Sequence, residues 1–406
     1  YLNHVYTGDE RWAFDMFIGL NTSGIPLSAV ETFRAYLMQK AKVLPNASVI
    51  TQRIQDLFIN NQHGIELYFD REKNTNERAK RVKEYVTTLA LYLTGEKVGY
   101  HIHEQRMYLK KTYDLELQKV QDFTAQQHIQ LEFIQNMQQF TQYCVHQDSL
   151  LSQDAPVLAH LQSDDASRRD AAMLCIGFLA DANHTIVDAL LARFYSRVGQ
   201  RRERASYEFE DVCMATAAFF VLWRTVRGTN GLPDVYRALM ELISVKGSNP
   251  HWNSSMVKNY LREKLKPSES HPMNLLDCEM WVREASQIRA RRMKDITRFI
   301  LLMVSHQTSH DTHHPGLMQK GANGYQPYAT LVHWRSRDLK TIEHIAPQKQ
   351  TAGWDAHLYE PQSNLVDSLG NLVLMPLDLN SSLHNNTWPM KWTYYRYLAL
   401  NNPDLR

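Results

Sequence analysis

The sequence predicts a mainly α protein, in which an all-helical middle domain is followed by a small α+β domain at the C-terminal end. Three observations carry this expectation. Apolar residues recur at three- and four-residue spacing from about residue 48 to residue 310. After His314-Pro315-Gly316 the texture changes to short apolar stretches set between turn residues. The 406 residues also exceed the roughly 250 to 300 at which a single core stops growing, so more than one compact part is expected.

The first helix is expected after Pro26, where Ser28-Ala29-Val30-Glu31 reads as a capping box and Val30, Phe33 and Leu37 follow at helical spacing. Later helices show in Ile186, Leu190 and Phe194 behind a Thr185 to Asp188 cap, and in Ile296, Phe299, Ile300 and Met303. Turn-rich clusters at Gly228 to Pro233 and Pro267 to Pro272 separate helices within that domain, and no repeat of fixed period is found. Short strands are expected at Thr341 to Ile345 and Leu372 to Met375. The last element, Pro389 to Leu400, reads as a helix, with Thr387 as its cap, Pro389 in its first turn and Trp392, Tyr395 and Leu398 on one side.

Composition excludes some classes. Hydrophobic residues at 44% and charged residues at 22% match ordinary globular chains, which argues against long disorder. The longest apolar run, around Ala215 to Trp223, falls far short of the roughly 20 residues a membrane span requires. Cys144, Cys175, Cys213 and Cys278 form no CxxC pair, so neither a zinc knuckle nor a disulfide framework is expected, and reduced thiols in a cytoplasmic protein are. A net charge of +2 leaves any nucleic-acid affinity to local basic patches. The chain begins at Tyr1 with nothing resembling a leader, and reads as cut from something longer.

The last ninety or so residues hold the residue types that phosphodiester hydrolysis needs: a base for water, and oxygen donors for a cation that neutralises developing charge. Glu343 and His344 lie at the end of an expected strand, in Ile342-Glu343-His344-Ile345-Ala346-Pro347-Gln348, so their side chains point to opposite faces. Asn371 follows 27 residues later in Leu369-Gly370-Asn371-Leu372-Val373-Leu374, and Asn380 nine beyond that. An imidazole is largely neutral at pH 7, which suits a base that acts without prior deprotonation. Read alone, Ile-Glu-His-Ile is more often merely an edge strand, and asparagines are commonly turn residues; the joint pattern favours the chemistry.

This His, Asn, Asn series resembles the HNH (His-Me finger) nuclease superfamily. Over roughly residues 330 to 400 it is most similar to the C-terminal domain of GmrSD-type modification-dependent restriction enzymes and relatives such as the phage-defence protein SspE. The Glu-His-Ile-x-Pro-Gln stretch also resembles the HNH domain of RNA-guided CRISPR nucleases, which the rest of the chain does not. The resemblance implies a ββα-metal nuclease acting on modified or foreign DNA in restriction or antiviral defence. By it, His344 is the general base, Glu343 and Asn380 ligate one divalent cation, Asn371 braces the loop carrying His344, and Lys391 holds a phosphate. A carboxylate and an amide oxygen without thiolate suit Mg²⁺ or Mn²⁺ better than zinc. His384 leaves the second ligand open.

A second resemblance lies at the other end. Ala13-Phe14-Asp15-Met16-Phe17-Ile18-Gly19-Leu20-Asn21-Thr22-Ser23-Gly24-Ile25-Pro26-Leu27-Ser28 is similar to the end of the ParB-like domain of the same family. That domain's Asp-Gly-Gln-Gln-Arg motif, tied to nucleotide use, is not in these residues. It lies ahead of Tyr1 in a longer chain or on a partner subunit, and use of GTP, ATP or UTP would come through it. The expected division is therefore residues 1–46 as the remnant of the ParB-like domain, 47–315 as the helical middle and 316–406 as the nuclease.

Basic clusters offer phosphate contacts. Arg289, Arg291, Arg292, Lys294 and Arg298 lie nearest the nuclease segment, and Trp334, Arg335 and Arg337 precede its first strand. Arg193, Arg197, Arg201, Arg202 and Arg204 read better as a solvated helix face, paired by Glu203, Glu208 and Glu210. His306, His310, His313 and His314 read as a polar linker and less well as a metal site. One nuclease centre per chain predicts nicking, with double-strand cutting left to a homo-oligomer such as a dimer or to two events. The rival class is a non-catalytic DNA-modification sensor or helical scaffold, which retention of both Glu343 and His344 disfavours. RNA is not excluded by the chemistry, but no aromatic platform of the single-strand-binding kind is evident.

Overall fold

The computed structural model describes residues 27–44, 46–60, 64–72, 74–152, 157–200, 204–249, 251–286, 292–314, 318–321, 327–360 and 365–401. Helix α1 (Ala29–Ala41) begins where the sequence places it: the Glu31 amide donates to Ser28 Oγ at 3.2 Å while the Ser28 amide donates to Glu31 Oε2 at 2.6 Å. Two helix-end donors are thereby satisfied reciprocally.

Helices follow as α2 (Ala47–Gln55), extended by a π-turn over Asp56–Asn60, then α3 (Ile65–Asp70), α4 (Thr75–Thr94), α5 (Ile102–Leu117), α6 (Phe123–Leu151), α7 (Ala166–Asp181) and α8 (Val187–Gly199). After these come α9 (Ala205–Arg227), α10 (Leu232–Ile243), α11 (Ser254–Leu265), α12 (Cys278–Ala285) and α13 (Lys294–Ser305). The turn between α9 and α10 uses Gly228 and Gly231 at φ +63° and +69°, conformations that glycine adopts without Cβ strain. The α+β segment holds β1 (Thr308–His310), β2 (Met318–Lys320), α14 (Leu331–Arg335), β3 (Thr341–His344), β4 (Leu372–Met375), α15 (Leu377–Leu383) and α16 (Trp388–Asn401). No helix among the described residues is long and apolar enough to cross a membrane.

The chain divides into two compact units. The first comprises residues 1–146, 188–196 and 237–250. Its core is aromatic: Phe33 of α1 meets Tyr113 of α5 edge-on at 5.9 Å and Phe133 of α6 at 5.6 Å, and Tyr85 of α4 packs on Phe69 and Phe140. Such pairs add specific geometry to the burial of large rings. Helix α1 thus shares its core with α5 and α6, so the packing does not follow the sequence division at residue 46.

The second unit comprises residues 147–187, 197–236 and 251–406. It joins the C-terminal α+β segment to several helices of the middle region, a different partition from the expected one at residue 316. The joint is built from α7, α13 and α14. Phe178 stacks on Phe299 at 4.1 Å, and the buried Trp334 indole donates to Asp181 Oδ2 at 2.8 Å. Gly177 permits the approach, since a Cβ there would lie 2.5 Å from Leu331 Cδ1. Strands β3 and β4 pair antiparallel, with Thr341 opposite Met375 and His344 opposite Leu372. Met375, Leu383 and Leu398, with Leu379 and Tyr395, form the small core that seats α15 and α16 on this hairpin.

Candidate active site

Alternation along β3 separates two chemistries. Thr341 and Glu343 face inward and are buried, while Ile342 and His344 are partly exposed on the other face. On the outer face, His344 Nε2 lies 2.9 Å from Asp367 Oδ1, and Gln348 Nε2 lies 3.3 Å from the same oxygen. A carboxylate only accepts, so both nitrogens donate to it, and the 3.1 Å approach of Gln348 Nε2 to His344 Nε2 is a contact and not a bond. The proton on Nε2 leaves Nδ1 as the imidazole's acceptor. With side-chain exposures of 16% for His344 and 22% for Asp367, water reaches this pair.

Asn371 makes the pair possible. Its amide donates to Ala346 O at 2.9 Å and to Val366 O at 2.7 Å, and its oxygen accepts from the Ala346 amide at 2.7 Å. The loop that follows His344 is thereby stapled to the turn that carries Asp367, and Asn371 acts through the backbone and not on a reacting atom.

Asp367 is the residue that sequence reasoning missed. The hairpin register was the available signal: His344 pairs with Leu372, so residues just ahead of Leu372 return to the imidazole. The 3-10 turn Leu365–Asp367 lies there.

On the inner face, Lys391 of α16 donates to Glu343 Oε1 at 2.5 Å and to His344 O at 2.6 Å. This differs from the expectation that Lys391 holds a phosphate, because Lys391 is 1% exposed and its ammonium serves as the counter-charge of a buried carboxylate. Pairing is what makes that burial tolerable. Asn380 of α15 donates to Thr341 Oγ1 at 3.0 Å and to Ile342 O at 3.1 Å, which commits its amide nitrogen to the strand and directs its oxygen away from it.

The basic residues scatter. The guanidinium of Arg335 bonds the Leu150 carbonyl and is partly buried, so it does not present the free charge expected. Arg337 and Arg292 are exposed, and Arg291 lies outside the described residues. Arg298 is buried, its Nε donating to Leu339 O at 2.9 Å, its terminal nitrogen bonding Trp334 O, and its plane 4.0 Å over the Trp334 ring. It belongs to the joint and not to a phosphate track. Arg197 pairs with Glu208 at 3.0 Å, as the helix-face reading expects. The histidines near residue 310 share no helix: His306 Nδ1 accepts from the Ala329 amide, and exposed His314 bonds Asp311. Among the described residues no three His, Cys, Asp or Glu side chains gather as a metal cluster.

Three tryptophans gather at the start of α16. Trp354, Trp388 and Trp392 form a chain of ring contacts at 6.2 and 5.7 Å.

Residues 286–403 match the family described as GmrSD restriction endonucleases, C-terminal domain. The matched span contains the hairpin, α15, α16 and every residue of both faces of the site. No curated protein matches the chain.

Proposed function

We propose that the C-terminal segment is an HNH-type nuclease that hydrolyses DNA phosphodiesters, with His344 as general base. The matched family is one of restriction endonucleases, which act on DNA. The observation that carries the assignment to His344 is its bond to Asp367: a carboxylate on Nε2 fixes the tautomer in which Nδ1 takes a proton from water.

The donors on the inner face fit a hard divalent cation. Lys391 bonds one oxygen of Glu343, while Oε2 has no protein partner among the described residues, and neither has Asn380 Oδ1. The Tyr395 hydroxyl is buried without a hydrogen-bond partner, and burial followed by the charge of Glu343 pushes its ionisation upward. A buried unsatisfied hydroxyl beside a carboxylate marks space for a polar group. Glu343 and Asn380 would hold Mg²⁺ or Mn²⁺, which would neutralise charge developing on the phosphoryl oxygens. Glu343 orients through Lys391, Asn371 fixes the loop, Asp367 holds the imidazole, and His344 Nδ1 receives the proton.

Within this reading the protein restricts modified or foreign DNA as part of antiviral defence in the cytoplasm, nicking one strand per centre. A ParB-like domain, on this chain or a partner subunit, would supply nucleotide use. The test is cleavage of supercoiled plasmid, modified and unmodified, with Mg²⁺ or Mn²⁺, beside a chelator control and His344→Ala. Nicked circles that fall by about 10²-fold or more in the variant are the expected result. Equal inertness of both proteins, with a ParB-like subunit and nucleotide supplied, would replace catalysis with a scaffold role.

A further inference from the structure

Helix α16 turns Lys391 inward and tryptophans outward. Trp388 and Trp392 are one helical turn apart on one stripe, 42% and 53% exposed, and Arg396 continues the stripe another turn on. Arg396 is exposed and makes no ion pair among the described residues, and α16 contains no Asp or Glu at all. Lys349, on the loop after β3, is exposed as well. An exposed aromatic pair on a helix that carries Arg396 and no acidic residue complements a polyanion that bears flat bases.

The rings are held in place before any ligand arrives. Trp354 donates its Nε1–H to Asn386 O at 3.2 Å and meets the Trp388 ring edge-on, and Trp388 in turn packs on Tyr395. The Trp388 and Trp392 centroids are 5.7 Å apart with planes 38° apart, whereas a base sandwiched between two rings needs about 7 to 8 Å. Any base must therefore lie on the outer face of Trp392. Trp392 follows directly on Lys391, whose ammonium is 2.6 Å from the backbone oxygen of His344, so the helix that exposes the indole is the one pinned to the end of β3.

We propose that Trp392, backed by Trp388 and flanked by Arg396, stacks an unpaired nucleobase of the DNA strand next to the phosphodiester being cut. The inference rests on the nuclease reading for its ligand. It narrows the substrate to a strand that is single, gapped or locally opened at the site, since a base inside an intact duplex presents no face to an indole.

The test uses the full chain with His344→Ala, so that DNA is bound and not consumed, and a single-stranded oligonucleotide bearing 2-aminopurine, with the matching duplex beside it. Stacking quenches 2-aminopurine in the single strand. Trp392→Ala weakens single-strand binding about 5- to 150-fold, Trp392→Phe retains most of it, and duplex binding changes little. Circular dichroism melts confirm that the variants fold; the more exposed Trp392 is the primary site because Trp388 also packs inward. Unchanged single-strand binding in Trp392→Ala overturns the platform. So does conversion of a dimer to a monomer by Trp392→Ala with DNA affinity unchanged, which makes this face a contact between copies. Tryptophan-dependent quenching by a chain that never cuts DNA keeps the platform and removes the nuclease reading. In a parallel assay with His344 intact, cutting of gapped DNA that ignores Trp392→Ala does the reverse.

Discussion

Asp367 Oδ1 lies 2.9 Å from His344 Nε2 across 23 residues of sequence, and this contact sets which ring nitrogen carries the proton. Asp367→Asn places an amide where a carboxylate stood. Its NH₂ donates to Nε2, the ring proton moves to Nδ1, and the acceptor facing water is lost. The expected loss of cleavage rate is about 10²-fold or more, with little change in DNA affinity. Asp367→Ala, which removes the orienting group without imposing the wrong tautomer, should fall less and shift the pH profile of the rate. Equal losses in both variants with an unchanged profile would reduce Asp367 to a structural role.

The Lys391–Glu343 pair is buried, so breaking it on one side strands a charge. Lys391→Ala should destabilise the second unit by about 3 to 5 kcal/mol, read from urea unfolding. Lys391→Met with Glu343→Gln removes both charges and should recover much of that, because paired removal of buried ions is often near neutral. The double variant should still fail to cut, with half-saturating Mg²⁺ raised or unmeasurable. A Lys391→Ala chain of full stability with only a higher KM for DNA would restore the phosphate-contact reading.

What the sequence showed and hid divides along a physical line. Local signals were legible: the Ser28–Glu31 capping box, the β3 and β4 apolar runs and the α16 spacing are fixed by neighbours in the chain. His344, Glu343, Asn371 and Asn380 were visible because their spacing is a motif, and all four lie on the hairpin or on α15, which packs against it. Asp367 was hidden because its partner is 23 residues away and only the strand register brings them together. Burial was hidden too. Lys391, Arg298 and Arg335 look like surface cations in one dimension, and only tertiary packing shows where each ammonium or guanidinium goes. The helical spacing set Trp392 with Tyr395 and Leu398 on one side, yet the helix turns Leu398 and Lys391 inward and leaves Trp388 and Trp392 out.

Arg298 and Arg292 separate the two roles a basic cluster can have. Arg298 satisfies the Leu339 and Trp334 carbonyls and covers the Trp334 ring, so Arg298→Ala leaves buried acceptors unpaired and exposes the joint between α7 and α14. A loss of roughly 1 to 3 kcal/mol per unsatisfied group is expected, seen as a lower midpoint in thermal or urea unfolding. Arg292 is exposed, and Arg292→Ala should leave the midpoint unchanged while weakening DNA binding modestly and lowering its salt dependence. If Arg298→Ala alters the salt dependence and not stability, the guanidinium reaches DNA after all.

His184 gives the second unit an acid-labile point. The ring is buried, stacked near Phe220 at 4.3 Å and edge-on to Tyr236 at 5.0 Å, and its Nε2 has no hydrogen-bond partner. Burial, and then the Arg224 charge, push its ionisation down to about 3. An unfolded chain takes up a proton there near pH 6.5, so between those values the unfolded state binds more protons and stability falls as pH falls. Stability is thus intact above about pH 6.5 and is lost by about 1.4 kcal/mol per pH unit below it, until the folded ring itself protonates. Between pH 7.5 and pH 5 this amounts to about 2 kcal/mol, measured as the urea midpoint of the second unit's transition. His184→Leu keeps the apolar packing and removes the proton site, so its midpoint should vary less over the same range. An equal pH dependence in both proteins would place the acid sensitivity elsewhere, on the paired carboxylates.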